Sequence, residues 1–257
     1  MKSRPPSKPS PFNFVADHMT LLVEPRMYKL MYAFSRIILK VPREGVIYEK
    51  RKRWSKTSEE VSMTFAVNIG DVAKEGSKVA ARTMVALVVP SEPKDQSSHV
   101  RQTLHDHNAS THWQHVALRT PDLLAFHKHA KAHGVNFITP IMKEGDEDLL
   151  QVFSGELYAP GSKPSGIFFE FVQRNVTPEL LAKIKSMDRQ SFFRDKTFLG
   201  LYSEKEEEYQ SGKVMPIWDE KLMLRIEKAW KDKPLWEITE ENLEEAAGWM
   251  RDYAVER

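Results

Sequence analysis

The run Gly166-Ile167-Phe168-Phe169-Glu170-Phe171-Val172-Gln173-Arg174 carries one carboxylate in the middle of an apolar, strand-like segment. An unpaired charge in such surroundings costs several kcal/mol or more, so a buried Glu is normally paired with a cation or bound to a metal. Two other apolar segments each embed a single histidine: Asp17-His18-Met19-Thr20-Leu21-Leu22-Val23 and Trp113-Gln114-His115-Val116-Ala117-Leu118. Two histidines and one carboxylate on three strands make the ligand set of a non-haem Fe(II) oxygenase, which leaves other coordination positions open. The competing reading is a set of core histidines and a Glu170–arginine ion pair.

The elements that hold these residues form a weak internal repeat. Asp17-His18-Met19-Thr20-Leu21 and Gln114-His115-Val116-Ala117-Leu118 share a His with Leu three residues on, and each is followed by a Pro at a helix start, Pro25 and Pro121. Proline suits the first helical turn, where its missing N–H had no partner. Met27, Leu30, Met31 and Phe34 follow helical spacing and predict one apolar face. Thr120 is the expected cap of the second helix, which opens with Leu123, Leu124 and Phe126. Strands are expected over 45–50, 61–69 and 78–89 in the first copy, and over 134–138, 149–158 and 166–173 in the second. The pattern is two βαβββ modules. Beyond Arg174 the chain reads as helical, with a short helix over 178–187. A longer one over 217–231 aligns Leu222, Ile226 and Trp230. Thr239 caps the last, whose Leu243, Ala246, Ala247 and Met250 point inward. The acidic run Glu204–Glu208 is expected to be a solvated helix face, and His129 and His133, although spaced as a zinc pair, a solvated face as well.

The bulk composition narrows the function classes. The 257 residues are 41% hydrophobic, enough for a real core. The 38 basic and 36 acidic residues leave a net charge of +2, so chain-wide charge points to neither nucleic acid nor a membrane surface. With no cysteine, disulfides, thiolate metal sites and cysteine nucleophiles are excluded. The basic, proline-rich segment Met1 to Pro11 has no apolar core of a secretory signal, and a cytoplasmic protein is expected.

These segments resemble, in order, the catalytic C-terminal half of the 4-hydroxyphenylpyruvate dioxygenase family in the vicinal-oxygen-chelate superfamily. Asp17-His18 resembles the first ligand strand. Pro90-Ser91-Glu92-Pro93 with Ser98-His99-Val100 resembles "NEP…SQI", and Gln114-His115-Val116-Ala117-Leu118 resembles "QHIAL". Leu149-Leu150-Gln151-Val152-Phe153 resembles "LLQIF", Ile167–Arg174 resembles "IFIEIIQR", and Lys196-Thr197-Phe198 through Glu207 resembles the C-terminal "GNFxxLFxxxE" helix.

The resemblance covers roughly residues 14–210. It implies an α+β, glyoxalase/bleomycin-resistance-like fold, two βαβββ modules forming an open barrel around a metal, with C-terminal helices. Residues 1–13 would be a disordered lead-in, 14–176 the catalytic domain with modules over 14–105 and 111–176, and 177–257 a helical extension whose first part covers the site.

By the same resemblance, His18, His115 and Glu170 match the iron ligands and Gln114 a polar residue near the metal. Gln151 and Phe153 match pocket positions, Ser77 a pocket serine, and Phe198 the aromatic residue of the covering helix. Ser91, His99 and Thr197 replace the family's Asn, Gln and Asn in the polar network near the substrate. These replacements leave the iron chemistry in place and the particular substrate open, because a site built to hydrogen-bond one group penalises analogues lacking it by ~10⁴ or more.

The implied reaction belongs to tyrosine catabolism. An aryl 2-oxo acid and O2 meet at Fe(II), carbon dioxide leaves, and the aromatic or benzylic part of the same molecule is hydroxylated, with 4-hydroxyphenylpyruvate to homogentisate the nearest example. The alternatives are a mandelate-synthase-like or other 2-oxo-acid oxygenase, a ring-cleaving extradiol dioxygenase, and a non-catalytic homologue that binds metal or ligand. The family's N-terminal half has no counterpart in these residues. Apolar surface exposed by its absence would be covered in a homodimer.

Overall fold

The computed structural model describes residues 10–53, 61–72, 81–90, 97–143, 149–174 and 197–255. Its centre is one eight-stranded sheet. The strands are β1 (Val15–Val23), β2 (Val46–Arg53), β3 (Val61–Val72), β4 (Ala81–Val88), β5 (Thr111–Arg119), β6 (Met142–Lys143), β7 (Leu149–Phe153) and β8 (Phe168–Arg174). Their order across the sheet is β2-β3-β4-β1-β5-β8-β7-β6. Each module ends by laying its last strand parallel to its first, β4 beside β1 and β8 beside β5, and the modules join through the antiparallel β1–β5 pair. The expected βαβββ repeat is therefore the observed chain order. One strand differs: residues 134–138 make only a bridge from Phe137 to Ser154, and the short β6 comes after it instead.

One helix per module covers the outer face of the sheet. Helix α1 (Pro25–Ala33) packs Met27, Tyr28, Met31 and Tyr32 on Leu21, Val23, Leu87 and Val89, and starts on Pro25 as the sequence predicts. Helix α3 (Leu123–Ala132) packs on Leu150, Val152, Phe169 and Phe171. Its cap is Asp122, whose carboxylate accepts from Ala125 N at 2.9 Å, and not Thr120, whose hydroxyl instead donates to Phe12 O at 2.7 Å. Asp122 serves because its side chain sits closer to the open N–H groups of the first turn.

Helix α2 (His99–Asp106) covers the inner face through Leu22, Val88, Val100 and Leu104. Helix α4 (Thr197–Ser211) adds Leu201 to a cluster with Met142, Phe153 and Phe168. Strand β8 is thus covered on both sides, Phe169 and Phe171 beneath α3 and Phe168 toward α4, which explains why it reads as a continuous apolar run. Helices α5 (Glu220–Trp230) and α6 (Glu240–Val255) complete the chain, α6 against α3. Leu222 and Ala246 are buried, whereas Leu243, expected inward, is exposed. The helix expected over 178–187 lies outside the described residues.

Candidate metal centre

The three sequence-predicted ligands lie on adjacent strands in one patch of the inner face. His18 on β1 is opposite Ala117 on β5, and Ala117 is opposite Glu170 on β8. His115, two residues before Ala117, falls on the same face by strand alternation. Both histidine Nε2 atoms approach Glu170 Oε2 at 3.0 Å, and they lie 3.4 Å from each other. Among the described residues this is the one His, Asp and Glu cluster whose donor atoms all converge within 4.8 Å.

A β-bulge precedes each histidine. Asp17 is the extra residue on β1 between the Ala16 and His18 pairings, and Gln114 is the extra residue on β5 between the His115 and Trp113 pairings. A bulge re-aims a side chain without ending the ladder. At β1 it buries Asp17 beside His18, so that the Asp17 carboxylate meets His18 Nδ1 at 3.0 Å. Arg174 closes on the same carboxylate with two bonds, Nε to Oδ2 at 2.8 Å and Nη2 to Oδ1 at 2.6 Å. The ring is thereby fixed with Nε2 pointing at Glu170, as an outer carboxylate does for a metal-bound histidine. Asp17 is not among the sequence-predicted site residues. Its signal is the acidic residue directly before His18, which acquires meaning only once a bulge turns both residues to one place.

Electrostatics separate the two histidines. For His18, burial alone favours the neutral ring, but the Glu170 charge and the Asp17 hydrogen bond outweigh it and raise its pKa to about 9. For His115, burial wins over the single contact with Glu170 and lowers the pKa. Burial also opposes charge on Glu170, yet the His18 charge and the His115 and His18 hydrogen bonds hold its carboxyl at about 2. Asp17 likewise overcomes its burial penalty, through Arg174 first and His18 second, and stays well below the usual carboxylate range. The metal-free cluster thus holds one proton on His18 between two carboxylates, where a cation would replace it.

The donor set fits a metal ion. Bonds of ~2.1 Å at right angles place neighbouring donor atoms ~3.0 Å apart, and tetrahedral angles place them ~3.4 Å apart. The observed 3.0, 3.0 and 3.4 Å span that interval. Two imidazoles and one carboxylate on one side of a site match the facial arrangement of non-haem Fe(II) oxygenases.

One wall of the site is aromatic. The Phe168 and Phe153 rings lie 5.4 and 5.9 Å from the His115 ring and 6.0 Å from each other. Phe153 is also the β7 partner of Glu170, and Gln151, buried, shares its face by alternation. Phe168, absent from the sequence-predicted site residues, is legible in the sequence only as one more aromatic in the β8 run.

The remaining candidates fall elsewhere. Gln114 is buried beside His115, with no hydrogen bond to the three ligands among the described residues. His99 is buried between α2 and α4, where its backbone N–H donates to Glu206 at 2.7 Å and its ring lies 6.2 Å from Tyr209. Thr197 and Phe198 lie in the first turn of α4, their side chains outside the described ones, and Ser77 and Ser91 lie outside the described residues altogether.

The acidic run departs from a solvated face. Lys205 within it is fully buried and pairs with the buried Glu156 and, at 2.7 Å, with Glu208. Glu156 also accepts from Gly166 N at 2.7 Å, two residues before β8. Gly166 has φ of +72°, and a Cβ there would come within 2.5 Å of the Thr103 methyl. The His129 and His133 rings lie 4.3 Å apart and tilted at the C-terminal end of α3, with no third ligand among the described residues.

No protein-family model matches the sequence, and no curated protein matches it. Among solved structures, the chain is similar to a triple mutant of 4-hydroxymandelate synthase from Streptomyces coelicolor, 16% identical over 76% of this chain and 55% of that one, with a TM-score of 0.50. Weaker likenesses are to methylmalonyl-CoA epimerase from Streptomyces coelicolor, 16% identical over 63% of this chain and 97% of that one, TM-score 0.38. The Mycobacterium tuberculosis epimerase is 19% identical over 65% and 91%, TM-score 0.37. The chain has the vicinal-oxygen-chelate fold, as the family resemblance implied. It spans 55% of the length of the 4-hydroxymandelate synthase it matches.

Proposed function

We propose that the chain is an Fe(II)-dependent dioxygenase that oxidatively decarboxylates an aryl 2-oxo acid and hydroxylates the same molecule, with homogentisate formation from 4-hydroxyphenylpyruvate as the nearest reaction. The observation that carries this reading is the convergence of His18, His115 and Glu170 donor atoms at 3.0 to 3.4 Å beside a phenylalanine wall. Bound Fe(II) would supply open positions at which the 2-oxo acid chelates and dioxygen reacts.

The chain's own residues do the rest. Asp17 and Arg174 orient His18, and Glu170 offsets the metal charge in a dry site. Phe153 and Phe168 take the aryl ring and exclude water from the reacting end. Gln151 is assigned to orient the substrate, and Gln114 to support the ligand beside it. Ser77, Ser91, His99, Thr197 and Phe198 are retained as substrate-side residues on the family resemblance alone. In this reading residues 14–176 form the catalytic domain and the helices after 177 an extension.

The test is oxygen uptake by Fe(II)-loaded protein with a panel of aryl pyruvates, with identification of the product. Homogentisate from 4-hydroxyphenylpyruvate supports the proposal. The likeness to 4-hydroxymandelate synthase favours a second reading, hydroxylation at the benzylic carbon with 4-hydroxymandelate as product. No uptake with any member of the panel overturns both.

A further inference from the structure

The outer helix of the first module carries a feature the site does not use. From Glu24 to Glu44 the chain has five basic residues, Arg26, Lys29, Arg36, Lys40 and Arg43, against the two carboxylates at its ends, of which Glu24 pairs with Arg26 at 4.0 Å, a local surplus of three although the whole chain is almost balanced. The same stretch exposes large apolar side chains. Leu30 is 60% exposed, Phe34 46%, Ile37 62%, Ile38 62% and Leu39 43%.

Helical spacing from Met27 predicts Leu30 and Phe34 on the core side, yet both point out. The core is already filled by Met27, Tyr28, Met31 and Tyr32. The next turn, Phe34–Ile38, is a π-helix, and such a turn rotates the residues after it about the helix axis. Leu39 N bonds back to Phe34 O at 3.1 Å and Val41 N to Ser35 O at 3.0 Å, which leaves Ile37, Ile38 and Leu39 outside the fold. The Arg36 guanidinium bonds the Val41 carbonyl, so its charge meets no carboxylate there, and no interaction among the described residues occupies Lys29 or Lys40.

An outward apolar ridge edged by cations, on a helix lying flat against its own domain, has the make-up of an element that rests in a lipid headgroup layer. Charge decides between occupants. A second copy meeting this face across a two-fold axis would set its net positive charge against an equal one. An anionic bilayer pairs with them instead. No helix of the described residues is long and apolar enough to cross a membrane, so contact would be along the surface.

We infer that the outer face of α1 and the π turn after it is a docking surface for an anionic phospholipid bilayer. This departs from the expectation drawn from net charge, because the surplus is local. It stands apart from the iron chemistry and would survive its failure.

The experiment is co-sedimentation of the full chain with vesicles of phosphatidylcholine alone and with about 30 mol% phosphatidylserine. Binding to the anionic vesicles is expected, with loss at about 1 M salt, where charges are screened beyond ~3 Å. Lys29→Glu with Lys40→Glu should weaken partitioning by roughly 25-fold or more, since each surface cation contributes about fivefold. Ile37→Ser with Ile38→Ser should weaken it by about tenfold or more, with the circular dichroism spectrum unchanged. Equal binding to neutral and anionic vesicles, or no binding to either, overturns the inference. So does a dimer in light scattering that the Ile37 and Ile38 substitutions dissolve while vesicle binding is absent.

Discussion

The two modules repeat one plan and support their histidines differently. In the first, His18 stands on charge: Asp17 holds its far nitrogen and Arg174 holds Asp17. In the second, His115 stands on packing, against the Phe153 and Phe168 rings, and its Nδ1 is buried with no hydrogen-bond partner among the described residues. The extra bulge residue is an aspartate in one copy and a glutamine in the other. A repeated strand thus places two equivalent histidines while their surroundings diverge, one set among charges, the other against an apolar wall.

The largest effects belong to the carboxylate that both histidines contact. Glu170→Ala removes a ligand and the counter-charge of His18, and it should abolish oxygen uptake, by about 10³-fold or more on the scale of a lost catalytic electrostatic group. Next comes Phe168→Ala, which should cost about 3–5 kcal/mol of stability in denaturant melts, since the ring is fully buried against His115 and α4. Asp17→Asn should then lower metal affinity by roughly 10–100-fold in dialysis while leaving the fold intact. Gln114→Ala, its counterpart, should change affinity far less. Equal losses from the two would mean that the modules are supported alike.

The charged support also makes a pH prediction. His18 has a folded pKa of about 9 against an ordinary 6.5, so its contribution to metal-free stability is complete below pH 6.5 and is lost as pH rises through 9. The melting temperature of metal-free protein should fall across that window, and His18→Gln should flatten the fall. Metal binding displaces this proton, so calorimetry at pH 7 in buffers of different ionisation enthalpy should register the release of about one proton. The smallest effect is expected at the other histidine pair. His129→Ala with His133→Ala should leave metal content unchanged, because these rings lie on the α3 surface away from the three ligands.

How legible each feature is in the sequence depends on what kind of pattern it makes. Glu170 can be found because a charge inside an apolar run has few explanations, and the repeat can be found because strand, proline and helix recur in order. Asp17 cannot, since a bulge is a property of how two strands pair, not of either alone. Lys205 is hidden by the four glutamates around it, and only the position of Glu156 across the fold explains its burial. The outward turn of Phe34 and Leu30 escapes sequence reading because helical spacing identifies an apolar stripe but not which of two possible stripes the core takes. The strand expected over 134–138 shrinks to one bridge: Ile138 N bonds Phe153 O and Gly155 N bonds Asn136 O, both at 2.9 Å, while Asn136 N turns away to Ile217 O, so the ladder does not extend.

The central claim is that His18, His115 and Glu170 together hold one metal ion. Anaerobic equilibrium dialysis against Fe(II), with wild type beside Glu170→Ala, measures it directly. One ion per wild-type chain and none in the variant is the predicted result. Equal binding by the two proteins, or no binding by wild type, would contradict it.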